Sequence, residues 1–136
     1  MQLTPYLFFN GDCAEALKLY ERCLGARILA RMTWAEAPMA DQMPKALHDK
    51  VMHFHMEIDG SSVMGGDAPP ERYNRPQGFF VAIRTGSIEQ AERMFADLSE
   101  KGVVREPIGE TFFALRFGML VDRFGTPWMV LCERSM

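Results

Sequence analysis

The chain has 136 residues, with 15 basic and 18 acidic side chains, a net charge of −3 and 48% hydrophobic residues. That is ordinary globular composition, and a chain of this size can bury a core without disulfide or metal staples. No basic stripe suits nucleic acid, no apolar run is long enough to span a membrane, and the N-terminus has no basic-then-apolar signal.

Residues 3–9, LTPYLFF, read as a strand. A helix follows NGD, with Asp12 as N-cap and Glu15 three residues on in the pattern of a capping box. Ala16, Leu17, Tyr20, Cys23 and Leu24 form its apolar stripe, and Gly25 stops it. Residues 26–34 read as a second strand. Residues 35–50 contain two prolines and no sustained period, so they read as a long loop with one helical turn.

In VMHFHMEIDG, residues 51–60, His53, His55 and Glu57 alternate with Met52, Phe54, Met56 and Ile58. On a strand each set shares a face, and Asp59-Gly60 supplies the turn. SSVMGGD then reads as a strand, and the Pro-rich residues 68–78 as a connector.

The pattern recurs from residue 79. FFVAIRT is a strand, and Ser87 caps a helix striped by Ile88, Ala91, Met94, Phe95 and Leu98 and ended at Gly102. VVREPIG is a short strand or irregular edge, residues 110–122 a long strand kinked at Gly118, and residues 127–133 the last strand. The halves begin about 75 residues apart, and this repetition constrains the architecture. The fold class is α+β: two βαβββ modules forming a curved mixed sheet around a cavity, with helices outside. Module one is 1–67, the connector 68–78 and module two 79–136, together one domain.

Cys13, Cys23 and Cys132 have no metal-ribbon spacing and read as reduced, mostly buried thiols of a cytoplasmic protein. The 11 methionines suit an adaptable core or pocket. Imidazole and carboxylate are good zinc or iron ligands, so His53, His55 and Glu57 admit a metal reading. Against it, four residues of strand rise separate His53 and Glu57 by roughly 13 Å, and the remaining histidine, His48, lies on the loop. Polar lining of a strand face, or a hydrogen bond from His53 to a ligand, are the competing readings.

PYLFFNGDCAEALKLYERCLGA (5–26), ETFFALRFGMLVDRFGTPWMV (110–130) and the paired βαβββ layout resemble the vicinal oxygen chelate superfamily, the glyoxalase, bleomycin-resistance and extradiol-dioxygenase group. Within it the chain is similar to the PhnB-like branch. The most specific part is D-x-F-G-x-x-W, at Asp122, Phe124, Gly125 and Trp128. The resemblance implies a cavity in each cupped sheet and a homodimer. In metal-dependent members it implies four ligands, His or Gln, Glu, His and Glu, on the first, fourth, fifth and eighth strands. Carried onto this chain, those positions fall at Pro5, Met64 or Gly65, Phe80 and Met129. None is a ligand for a hard or borderline divalent ion, so neither metal nor other cofactor is expected.

His53 stands where the branch often carries histidine, and Arg116 and Glu110 also match it. An Arg116 fork suits a carboxylate or phosphonate, although a cross-strand salt bridge is the favoured reading. Trp128 is expected to pack under a helix. The methyltransferase activity sometimes attached to the branch has no support, because no Gly-rich nucleotide loop follows the first strand. The resulting expectation is a PhnB-like protein holding a small organic ligand in an apolar cavity, with His53, His55, Arg116, Glu110, Phe80 and Met129 as ligand-binding residues. A lyase, isomerase or dioxygenase with a non-standard metal site and a drug-sequestering resistance protein are the alternatives.

Overall fold

The computed structural model describes residues 1–134. They divide into two compact units, Met1–Asn74 and from Arg75 onward. The strands hydrogen-bond as two four-stranded mixed sheets, one in each unit. Each unit has the expected βαβββ order, and the fold is α+β.

The first unit contains β1 (Tyr6–Phe9), α1 (Cys13–Leu24), β2 (Arg27–Thr33), β3 (Val51–Ile58) and β4 (Ser61–Asp67), in sheet order β1-β4-β3-β2. β1 runs parallel to β4, and the other pairs are antiparallel. β1 starts at Tyr6 rather than residue 3, and Leu3 is 94% exposed. Ala16, Leu17 and Tyr20 of α1 are buried as the periodicity requires, together with Phe9, Phe54 and Met56 of the sheet. Gly25 ends α1 in the left-handed conformation (φ 67°), which glycine adopts without steric cost.

The capping box expected at Asp12 and Glu15 does not form. The Asp12 side chain makes no cap hydrogen bond. The N-terminus of α1 is satisfied from another strand instead. Asp67, buried at the end of β4, accepts the Gly11 and Cys13 amides on Oδ1 at 2.9 and 3.0 Å, and the Val51 amide on Oδ2 at 3.0 Å. One carboxylate thus ties the starts of α1 and β3 to the end of β4, and its burial is balanced by three charge-assisted hydrogen bonds. The Trp34 indole N–H donates to the carbonyl of the same residue at 3.3 Å.

Residues 35–50 are more ordered than one turn in a loop. Three 3-10 turns (Trp34–Glu36, Ala40–Gln42 and Lys45–Leu47) occupy the segment. The His48 ring Nε2 lies 2.9 Å from the Ala40 carbonyl and 3.2 Å from that of Met43, which pins two of the turns together.

The second unit contains β5 (Val81–Thr85), α2 (Ile88–Ser99), β6 (Val103–Gly109), β7 (Ala114–Val121) and β8 (Pro127–Glu133), in the equivalent order β5-β8-β7-β6. Ser87 caps α2, its Oγ accepting the Gln90 amide at 3.1 Å, a contact worth about 1 kcal/mol. Lys101 (φ 61°), not Gly102, adopts the left-handed conformation after the helix. Gly102 is close-packed instead, for a Cβ there would lie 2.4 Å from the Val121 carbonyl oxygen.

β7 is shorter than expected. Thr111 Oγ1 accepts the Phe113 and Ala114 amides at 3.3 and 3.0 Å, so residues 111–113 turn rather than extend. Its irregularity lies between Ala114 and Arg116, not at Gly118. Gly118 pairs regularly with Val130 and leaves room for the Phe95 ring, whose Cε2 would lie 2.6 Å from an added Cβ. The D-x-F-G-x-x-W run is a turn built on Asp122. Its buried carboxylate accepts the Phe124 and Thr126 amides on Oδ1 at 2.8 and 3.0 Å and the Trp128 indole N–H on Oδ2 at 2.8 Å.

Candidate functional site

The first sheet has one packed face and one bare face. Leu7 and Phe9 of β1 are buried, and the Phe9 ring centroid lies 6.4 Å from those of both Tyr20 and Phe54. Strand alternation sends Tyr6 and Phe8 away from α1, and they are 40% and 52% exposed. On β3 the same alternation buries Phe54 and Met56 and leaves His53, His55 and Glu57 on the bare face. Tyr6 stands opposite Met64, and Met64 opposite His55, in one row across three strands. Met32 of β2, 39% exposed, stands opposite His53.

Three rings therefore sit side by side. The Tyr6 hydroxyl is 3.1 Å from His53 Nδ1, and the two rings are stacked at 5.7 Å with 28° between their planes. Phe8 leans on Tyr6 with ring centroids 5.0 Å apart and 51° between planes. Burial pushes the Tyr6 phenol above its ordinary value, with a smaller contribution from Cys13. The phenol is thus a protonated group. Burial likewise raises the Cys13 thiol, aided by the Asp67 charge, which makes Cys13 a packed side chain and not a nucleophile.

The three polar residues of β3 do not converge. His53 turns to Tyr6, the His55 ring Nε2 meets Ser62 Oγ at 2.9 Å, and Glu57 accepts from Arg27 at 3.0 Å. The other expected site residues belong to the second unit. Arg116 lies 3.6 Å from Glu92 on α2 and donates to the Leu115 carbonyl at 2.6 Å. Its ion pair is with the helix rather than across the strands. Glu110 precedes β7 and accepts from Arg134 at 2.6 Å, and that guanidinium holds its carboxyl below the usual range. Phe80 is half-buried just before β5, and Met129 on β8 stands between Ala82 and Met119.

The superfamily's metal does not fit these residues. The four positions that the resemblance assigns to its ligands hold a proline, a methionine or glycine, a phenylalanine and a methionine. Among the described residues no three His, Cys, Asp or Glu side chains come together as ligands. Tyr6 and Phe8 were not legible as site residues, because every position of YLFF is apolar or aromatic and the two faces of β1 look alike in sequence. The one signal is their i, i+2 spacing.

The family model described as Glyoxalase/Bleomycin resistance protein/Dioxygenase superfamily matches residues 2–130. Protein YjdN of Escherichia coli (strain K12) is 33% identical, over 96% of this chain and 94% of its own length. Among solved structures, protein PA1353 from Pseudomonas aeruginosa is 38% identical with a TM-score of 0.89, covering 99% of each chain. The PhnB protein from Bacillus cereus, 20% identical with a TM-score of 0.80 over 96% of this chain and 98% of its own, shares the fold. With both βαβββ units in place and the match running through nearly the whole sequence, the chain belongs to the glyoxalase/bleomycin resistance protein/dioxygenase superfamily.

Proposed function

We propose that this protein binds a small organic ligand on the bare face of its first sheet, against Tyr6, Phe8 and His53, without the superfamily's metal. The observation that carries this reading is the exposed ring cluster itself. Large rings are usually buried, and adjacent exposed ones mark interaction sites. An apolar surface with a few fixed polar groups is the common make-up of small-ligand sites. Here Tyr6 and Phe8 supply the apolar surface, and His53 the polar group. His55, Glu110 and Arg116 are engaged elsewhere and have no part in the proposal, nor do Phe80 and Met129 of the second unit.

The reading includes a homodimer. Edge strands β2 and β6 expose Leu29 (48%), Val103 (52%) and Val104 (46%), and proteins generally cover apolar edges. Buried Cys13 and Cys132, thiols rather than disulfide halves, favour a reducing compartment such as the cytoplasm.

The test is to purify the wild type and Phe8→Ala under native conditions, denature them, and search the extracts by mass spectrometry. A compound retained in near-equimolar amount by the wild type and lost from Phe8→Ala supports the reading. Equal retention by both proteins sinks it.

A further inference from the structure

The Tyr6–His53 contact decides more than where a ligand sits. A phenol at 3.1 Å from an imidazole nitrogen either donates to it or accepts from it. A phenolic O–H can donate to the lone pair of an imidazole Nδ1, and we take that direction. With Nδ1 accepting, the ring proton must sit on Nε2. No described residue hydrogen-bonds that nitrogen. The stacked Tyr6 ring flanks the imidazole on one side, and Met32 stands opposite His53 in the ladder. The one fixed polar group on this ring-lined face is then a donor whose orientation is set from behind.

We infer that Tyr6 is a positioning residue that holds His53 as the Nε2–H tautomer, so that His53 donates to a carbonyl or carboxylate oxygen carried by a planar aromatic ligand. The aromatic part follows from Phe8 and Tyr6, whose rings lie 5.0 Å apart and offer exposed faces and edges for offset stacking. The oxygen part follows from the donor. A ligand group with only N–H to offer would leave Nε2–H without a partner on a partly desolvated face, a mismatch that binding sites reject strongly. This inference rests on the ligand-binding reading given above.

The test uses three probes on isotope-labelled wild type and Tyr6→Phe. Acetophenone carries a carbonyl oxygen, benzoate a carboxylate, and cumene has nearly the shape of acetophenone with no polar atom. Long-range proton–nitrogen spectra read the His53 tautomer, and amide shifts read binding. In the wild type, we expect an Nε2–H signature for His53, binding of acetophenone and benzoate, and cumene weaker than acetophenone by about tenfold. Tyr6→Phe should erase the tautomer bias and shrink that preference to about threefold or less. Equal binding of acetophenone and cumene to the rings would leave the binding face standing and overturn the donor assignment. An Nδ1–H signature in the wild type would overturn it too. Failure of all three probes to shift Tyr6, Phe8 or His53 would overturn both the face and this inference.

Discussion

Asp67 Oδ1 accepts the backbone amide of Cys13 at 3.0 Å across 54 residues of sequence. The end of one strand thereby caps the first helix of its unit. The same carboxylate takes the Gly11 and Val51 amides. Asp67→Ala would leave three amides without their acceptor in a buried place. At roughly 1–3 kcal/mol for each unsatisfied group, the loss should reach at least about 3 kcal/mol. Asp67→Asn keeps one carbonyl oxygen and should cost less. Urea denaturation followed by circular dichroism measures both, and an Ala variant within about 1 kcal/mol of wild type would refute the anchoring role.

Asp12 behaves in the opposite way. Its Oδ1 is buried without a partner among the described residues. Burial raises its carboxyl above the ordinary range, aided by the Asp67 charge. Folding thus disfavours the Asp12 carboxylate relative to the unfolded chain. The penalty is absent below the unfolded-state pKa, where both states are protonated. It grows as pH rises and is complete above the folded-state value. Asp12→Asn should therefore match wild type near pH 3 and exceed it at pH 7. After solvent screening the gain is less than about 1 kcal/mol. Thermal melts of both proteins from pH 3 to 8 check the sign, and a variant less stable at pH 7 than at pH 3, relative to wild type, would refute it.

β4 carries its glycines for space. A Cβ on Gly65 would sit 2.2 Å from the Leu7 carbonyl oxygen and 2.7 Å from the Phe54 ring, and one on Gly66 would sit 2.3 Å from the Met52 carbonyl oxygen. Backbone cannot yield as a flexible side chain can, so alanine at either position should cost about 2–3 kcal/mol. Gly109, where an added Cβ meets nothing within 4 Å and φ is not positive, is the control and should tolerate alanine without loss. Equal stability of the three variants in urea would show that β4 relaxes.

Metal binding should be weak. Zinc, nickel, iron or manganese should be absent in stoichiometric amount from the purified protein. Each added ion should move the melting temperature by no more than about 2 degrees, as mass action requires of a weak native-state ligand. Near-equimolar metal that survives dialysis and is lost on His53→Ala would contradict this.

Much of the fold is legible in the sequence because local patterns carry it. The α1 stripe of Ala16, Leu17 and Tyr20, the Ser87 cap and the alternation of Phe54 and Met56 with His53 and His55 all appear where periodicity places them. What escapes the sequence is long-range. Asp67 follows two glycines at a strand end and reads locally as a turn residue, yet it serves amides 16 to 56 residues away. Asp12 has the spacing of a cap, but tertiary contacts take its task. The ligand-binding candidates divide the same way. His53 stands out because polar alternates with apolar around it. Tyr6 and Phe8 do not, because the buried face of β1 is as apolar as the bare one. Arg116 alternates correctly, but its ion pair with Glu92 follows from α2 packing behind β7, which no strand pattern contains.

The central claim is that the ring cluster on the first sheet is a ligand site. Amide and side-chain NMR shifts of labelled protein, recorded against a library of small aromatic and aliphatic fragments, test it most directly. The account predicts that binding fragments perturb Tyr6, Phe8, Met32 and His53 together, and that Phe8→Ala abolishes those shifts while leaving the fold intact. Fragments that bind only away from these residues, or none that bind at all, would contradict it.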